Sequence, residues 1–119
     1  MKVLVCEDDR LMARAMQIVL EKAGYEVLVA LDGGVAMDMI DKLFFSAIVV
    51  DIHLPHTSGL EIIGKLRNEL NNNVPIMVVS AISDDVIQKQ AFLLGANIYL
   101  LKPYDPNQLV KELNNLVKN

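Results

Sequence analysis

Val3-Leu4-Val5-Cys6-Glu7-Asp8-Asp9 is the stretch that decides the fold: an unbroken apolar run that ends in three acids. A run that is apolar at every position, not at alternate ones, has no solvent face and suits a strand covered on both sides. Four further runs follow, at Val27 to Ala30, Ala47 to Ile52, Ile76 to Ser80 and Ile98 to Leu101, and four of the five are nearly continuous in Val, Ile and Leu. Between them the apolar residues return at helical spacing. Leu11, Ala15, Val19 and Ala23 fall at steps of four, with Met12, Met16 and Leu20 beside them and Gly24 as a stop. Ala36, Ile40 and Leu43 repeat the pattern, as do Ile63, Leu66 and Leu70, and Ile87, Ala91 and Leu94 before Gly95. The last segment opens with Asp105-Pro106, a capping acid and a proline in the first turn, and continues with Leu109, Leu113 and Leu116.

Strict alternation of strand and helix predicts an α/β fold of (βα)5 type, a doubly wound parallel five-stranded sheet with right-handed crossovers and helices on both faces. No repeat, low-complexity tract or linker interrupts the 119 residues, so they read as one domain over 1–119. Eleven basic residues against fifteen acidic ones give a net charge of −4, without any Lys/Arg cluster. That balance argues against direct nucleic-acid binding and against binding to an anionic membrane. No apolar run approaches the ~20 residues needed to span a bilayer. Acids by Glu7 are foreign to a signal peptide, and the lone Cys6 cannot build a disulfide framework. A cytoplasmic location is expected.

The chemistry-bearing residues lie where such a sheet puts its site, at the carboxyl ends of the strands. Glu7, Asp8 and Asp9 follow the first strand, Asp51 lies close to the end of the third, Ser80 ends the fourth and Lys102-Pro103 follows the fifth. In a parallel sheet these termini share one edge. Crowded carboxylates repel unless a cation or protons intervene, and hard oxygen ligands completed by phosphate suit Mg²⁺. A lysine and a hydroxyl beside them can hold the phosphoryl oxygens that the metal does not reach. Asp9 reads as a helix cap. Cys6, inside an apolar strand, reads as a structural thiol. His53 and His56 lack a third ligand for a transition metal, His56 being a solvated loop residue. The six methionines read as core filler, and Asp32-Gly33-Gly34 as a strand-to-helix turn.

The motifs together resemble the receiver domain of two-component response regulators. The matching stretches are Val3 to Asp9, Asp51-Ile52-His53-Leu54-Pro55-His56-Thr57-Ser58-Gly59-Leu60-Glu61, Pro75 to Ala81, and Gly95 to Tyr104. They cover nearly the whole chain, in the family's order. The resemblance implies the strand order 2-1-3-4-5 and assigns roles. Asp51 is the phospho-acceptor. Asp8 is a direct Mg²⁺ ligand, Glu7 acts largely through water, and Asp51 and the backbone carbonyl of His53 complete the protein's ligands. Ser80 and Lys102 contact the phosphoryl group, with the small Ala81 leaving room for it, and Tyr99 is the aromatic switch residue. The Lys102–Pro103 bond matches the family's cis peptide. Ser80 stands where Thr is commoner and Glu7 where Asp is. His53 and Ile82 occupy positions that tune phosphoryl lifetime, and His53 is unusual there.

The implied function is a signalling switch, charged by a sensor histidine kinase or phosphotransfer protein, and turning over no external product. Ser80 moves toward the phosphoryl group and Tyr99 turns inward. The fourth helix, fifth strand and fifth helix, with Gln88, Lys89, Lys111 and Glu112, then address an output domain, a downstream partner or a second copy in a homodimer. Two alternatives belong to other classes. A Mg²⁺-dependent aspartyl-phosphate phosphatase places its nucleophile on the first strand and a general acid two residues later, whereas His53 stands two beyond Asp51. A flavodoxin-type module would meet repulsion between Glu7-Asp8-Asp9 and the flavin phosphate.

Overall fold

A computed structural model describes residues 1–118. Five strands alternate with five helices: β1 (Lys2–Cys6), α1 (Arg10–Lys22), β2 (Glu26–Ala30), α2 (Gly33–Lys42), β3 (Ala47–Val50), α3 (Gly59–Gly64), β4 (Ile76–Ser80), α4 (Asp85–Leu94), β5 (Ile98–Leu101) and α5 (Pro106–Lys118). A π turn over Lys65–Glu69 extends α3. All pairings are parallel, in the order β2-β1-β3-β4-β5. This is the expected (βα)5 sheet and strand order.

Successive side chains of a strand point to opposite faces, so each inner strand feeds two cores. Leu4, Ile48, Val50, Ile76 and Val78 meet the apolar residues of α2, α3 and α4, among them Ile40, Ile62 and Leu66. Val3, Val5, Val49, Met77 and Val79 meet Met16 and Leu20 of α1 and Leu109 and Leu113 of α5. β1, β3 and β4 are buried almost throughout, which is why their sequences carry no alternation.

Several expectations need correcting. The four-step series on α1 faces outward: Leu11 is 84% exposed and Ala15 and Ala23 are exposed, while Ala13, Met16 and Leu20 are buried. Apolar residues occupy two sides of this helix, and the sheet takes the side carrying the larger Met16 and Leu20. β3 stops at Val50, so Asp51 and Ile52 lie just beyond it, both still buried. α2 ends before Leu43, which is 41% exposed, and Leu70 leaves the core beyond the π turn.

The caps follow side-chain chemistry. Asp9 Oδ1 accepts from the N–H groups of Leu11 and Met12, as a capping residue should. Asp105 Oδ1 accepts from Asn107 N at 2.9 Å, at the head of α5. Asp32 caps α2, whose first residue must be glycine: a Cβ on Gly33 would stand 1.9 Å from the Thr57 carbonyl oxygen.

Candidate functional site

Backbone hydrogen bonds carry the sheet one residue past its strands and so fix the site. Glu7 N donates to Ala30 O at 3.0 Å, Asp51 N to Cys6 O at 3.0 Å, and Lys102 N to Ser80 O at 2.9 Å. Glu7 and Asp51 therefore emerge side by side from β1 and β3, and Lys102 follows β5 on the far side of β4. α3 closes down from above, since a Cβ on Gly59 would lie 2.4 Å from the Asp51 carbonyl oxygen. That approach excludes any side chain at this position.

Lys102 draws the acids together. Its Nζ donates to Glu7 Oε1 at 2.6 Å and to Asp51 Oδ2 at 2.8 Å. The remaining oxygens are also held: Glu7 Oε2 accepts from Asp9 N and Asp51 Oδ1 from His53 N, each at 3.2 Å. Glu7 is 1% exposed and Asp51 8%, whereas Asp8 is exposed. Oxygens of Glu7, Asp8 and Asp51 lie within 4.8 Å of one another, a spacing that could hold a metal ion. Three carboxylates and one ammonium leave an excess of two negative charges in this corner.

The titration of these groups follows the same tension. Burial pushes the Glu7 carboxyl upward, the Lys102 and Asp9 hydrogen bonds pull it back, and repulsion from Asp51 adds to the rise. Burial would lower the Lys102 ammonium, but the hydrogen bonds to Asp51 and Glu7 outweigh it and leave the group raised. Cys6, on the strand that carries Glu7, is buried and pushed up to about 12, the behaviour of a structural thiol.

Ser80 and Tyr99 meet at a third residue. Ser80 is fully buried and its Oγ accepts from Ile82 N at 3.1 Å. Tyr99 Oη donates to Ile82 O at 2.8 Å, and its ring lies 6.4 Å from that of Phe92, tilted by 46°. The expected inward turn of Tyr99 thus starts from a ring already half-buried and anchored. The structure brings Glu7, Asp8, Asp51 and Lys102 into one cluster, with Ser80 and Tyr99 joined at Ile82. His53 contributes only a backbone N–H contact here; its side chain is exposed, as is that of His56. The Lys102–Pro103 peptide is cis.

Of the expected partner-facing residues, Lys89 and Lys111 are exposed and Gln88 and Glu112 half-buried. The sequence reading passed over Val86 and Leu93 on α4, 71% and 89% exposed. An outward i, i+7 pair was the available signal. Arg67 was passed over as well; it sits in the π turn, and two of its three partners, Gly95 and Asn97, lie 28 and 30 residues away.

The chain matches the model of the response regulator receiver domain over residues 3–114. It is 32% identical to the transcriptional regulatory protein CrdR of Helicobacter pylori, over 91% of this chain and 51% of that protein. Response regulator RR06 of Streptococcus pneumoniae is 29% identical, over 99% of this chain and 54% of the relative. The chain thus spans about half the length of these curated relatives. The receiver domain of the Francisella response regulator 1452 superposes with a TM-score of 0.93 at 31% identity, covering 98% of this chain and 96% of that one. A CheY-like receiver domain protein from Methanospirillum hungatei gives 0.93 at 26% identity, covering 98% and 93%.

Proposed function

The chain belongs to the response regulator receiver family, and on that premise we propose that Asp51 accepts a phosphoryl group from the phosphohistidine of a sensor kinase or phosphotransfer protein. The observation that carries this reading is the Lys102 ammonium bridging Glu7 and Asp51 in a corner that still holds an excess of negative charge. Residues 1–119 act in it as one cytoplasmic signalling unit, and among the described residues no helix is long and apolar enough to cross a membrane.

The donor set fits Mg²⁺. The electron-pair donors of the cluster are all hard carboxylate oxygens, and the charge that Lys102 leaves uncancelled matches a divalent ion. Asp8 and Asp51 would hold it directly with the His53 carbonyl, and Glu7 largely through water. When bound, the ion supplies the charge that lets a phosphoryl group approach three carboxylates.

The protein's own groups do the rest. An Asp51 carboxylate oxygen attacks phosphorus, the P–N bond to the donor imidazole breaks as the P–O bond forms, and the released imidazole takes a proton from solvent. Lys102, fixed between Glu7 and Asp51, turns its ammonium toward the developing charge on the phosphoryl oxygens. The Ser80 hydroxyl donates its hydrogen to one of those oxygens while still accepting from Ile82 N–H. Because Ile82 is also held by Tyr99, movement of Ser80 is carried to β5 and to the α4–β5–α5 face, which addresses an output domain, a partner or a second copy. The unit is a switch that promotes its own phosphorylation and dephosphorylation.

Intact mass after treatment with a small acyl-phosphate donor and Mg²⁺ tests the reading. One phosphoryl adduct is expected on the wild type and none on Asp51→Asn. A full adduct on the variant refutes the assignment.

A further inference from the structure

α4 is held very differently at its two ends. Along its length only Ala91 is fully buried, so packing alone fixes it weakly. At the amino end, the preceding loop is tied through Ile82 to Ser80 and Tyr99, and Val86 is 71% exposed. At the carboxyl end stands Arg67. Its Nε and Nη2 donate to Gly95 O at 3.1 and 2.9 Å, Nη2 also to Asn97 Oδ1 at 3.1 Å, and Nη1 to Asn72 O at 2.7 Å. A planar guanidinium can satisfy such a forked set of acceptors, and an ammonium cannot.

Those acceptors join three elements. Gly95 ends α4 with φ +123°, and a Cβ there would stand 2.6 Å from Arg67 Cγ and 2.8 Å from Nε, so glycine is required twice over. Asn97 opens β5 and brackets Ile76: its N–H donates to Ile76 O at 2.9 Å and its Oδ1 accepts from Ile76 N at 2.8 Å. Arg67 itself is presented by the π turn that extends α3, where Leu70 N reaches Lys65 O at 3.0 Å. π turns inside helices recur where a residue must be re-aimed.

We propose that Arg67 is the pivot of α4. It locks Gly95 to the end of α3 and the start of β5, so that α4 moves as a lever hinged at Gly95, with its amino end following the loop that Ile82 ties to Ser80 and Tyr99. Arg67 is a positioning residue. It touches none of the acids at the opposite edge of the sheet, and it governs which part of α4 can respond to them.

Backbone amide exchange on the intact chain tests this without any phosphoryl chemistry. In the wild type, exchange should be graded along α4, faster over 84–88 and slower over 91–97. Arg67→Ala should speed exchange over 91–97 by about tenfold, erase the gradient, and leave β1, β2 and α2 unchanged. Arg67→Lys keeps the charge and the stem but not the fork, and should give a smaller loss at the same amides. It serves if the alanine variant fails to fold. Uniform acceleration throughout the chain, or no change at 91–97 in either variant, overturns the pivot. In a second arm, beryllofluoride with Mg²⁺ should, within α4 and its carboxyl end, alter amides only up to 90 in wild type and through 97 in the variant. A null response of the wild type in this arm counts against the phosphoryl reading, and the gradient measured without ligand still decides the pivot.

Discussion

Two half-buried cations sit at opposite edges of one sheet, and they keep different company. Lys102, at the carboxyl edge, faces two carboxylates with a third close by. Arg67, at the amino edge, faces carbonyl and amide oxygens only, and among the described residues it pairs with no acid. Around Arg67 the amino edge is electrically closed: the four hydrogen bonds it donates all end on neutral oxygens. The carboxyl edge is open, because one ammonium cannot neutralise Glu7, Asp8 and Asp51. A bound cation would relieve such an excess, so charge balance, not burial, is what distinguishes these two corners of the sheet.

The strongest way to break the comparison is to remove the excess. Asp8 is the exposed member of the acidic cluster and takes no part in the Lys102 bridge. On the proposed reading Asp8→Ala deletes a direct ligand, and it should weaken Mg²⁺ affinity by about a hundredfold or more. It should leave the melting temperature level or higher, because it relieves repulsion in the metal-free fold. Metal titration and melting curves of both proteins check the two halves. Unchanged affinity, or a clear fall in stability without metal, would show that the acids are structural.

Removing the cation should be costly in the opposite way. Lys102→Met leaves Glu7 buried and uncompensated, and breaking a buried pair from one side costs about 3 kcal/mol. The pH dependence has a definite sign. Glu7 loses the hydrogen bond that lowers it, while burial and Asp51 continue to raise it, so its folded-state value climbs further above the unfolded one. A raised carboxyl binds protons on folding, so the deficit of the variant should grow as pH rises through the wild-type value of Glu7, itself already above the ordinary glutamate range. Urea midpoints at about pH 5 and about pH 8 should therefore differ more between variant and wild type at the higher pH. The reverse order would mean that Glu7 is stabilised by contacts other than Lys102. The corresponding loss in Arg67→Ala should show no such slope, because its partners do not titrate.

The open edge was legible in the sequence and the closed edge was not. Glu7, Asp51, Ser80 and Lys102 each follow an apolar run, and parallel strands bring such positions to one edge, so their convergence follows from topology. Arg67 makes its bonds to backbone carbonyls and one amide, and a backbone carbonyl has no sequence signature. The π turn that aims it is equally silent, since its residues, Lys65-Leu66-Arg67-Asn68-Glu69, would also suit an ordinary helix end. Inner strands were legible because burial on both faces leaves polar residues only at their ends, Lys2 in β1 and Ser80 in β4. α1 was misread for the converse reason: with Leu11 and Ala15 on one side and Met16 and Leu20 on another, periodicity offers two stripes, and only the packing against β1 and α5 selects between them.

The smallest effect tests how the open edge communicates with β5 through Ile82. Ser80 Oγ holds its N–H and Tyr99 Oη holds its carbonyl, so one residue is gripped from both β4 and β5. Tyr99→Phe keeps the ring against Phe92 and removes only the hydroxyl, at about 1 kcal/mol, the usual worth of one such bond. Ser80→Ala releases the other side at a similar cost. If Ile82 is a shared linchpin, losing either bond lets the loop relax and weakens the other. The double variant should then lose less than the two single losses added, by about 0.5 kcal/mol or more. Faster amide exchange at 81–86 should accompany each single variant, with the remainder of the sheet unaffected. Strict additivity of the two losses would instead mean that Ser80 and Tyr99 act on separate parts of the loop, and that a shift of Ser80 toward a phosphoryl group has no route to Tyr99 through Ile82.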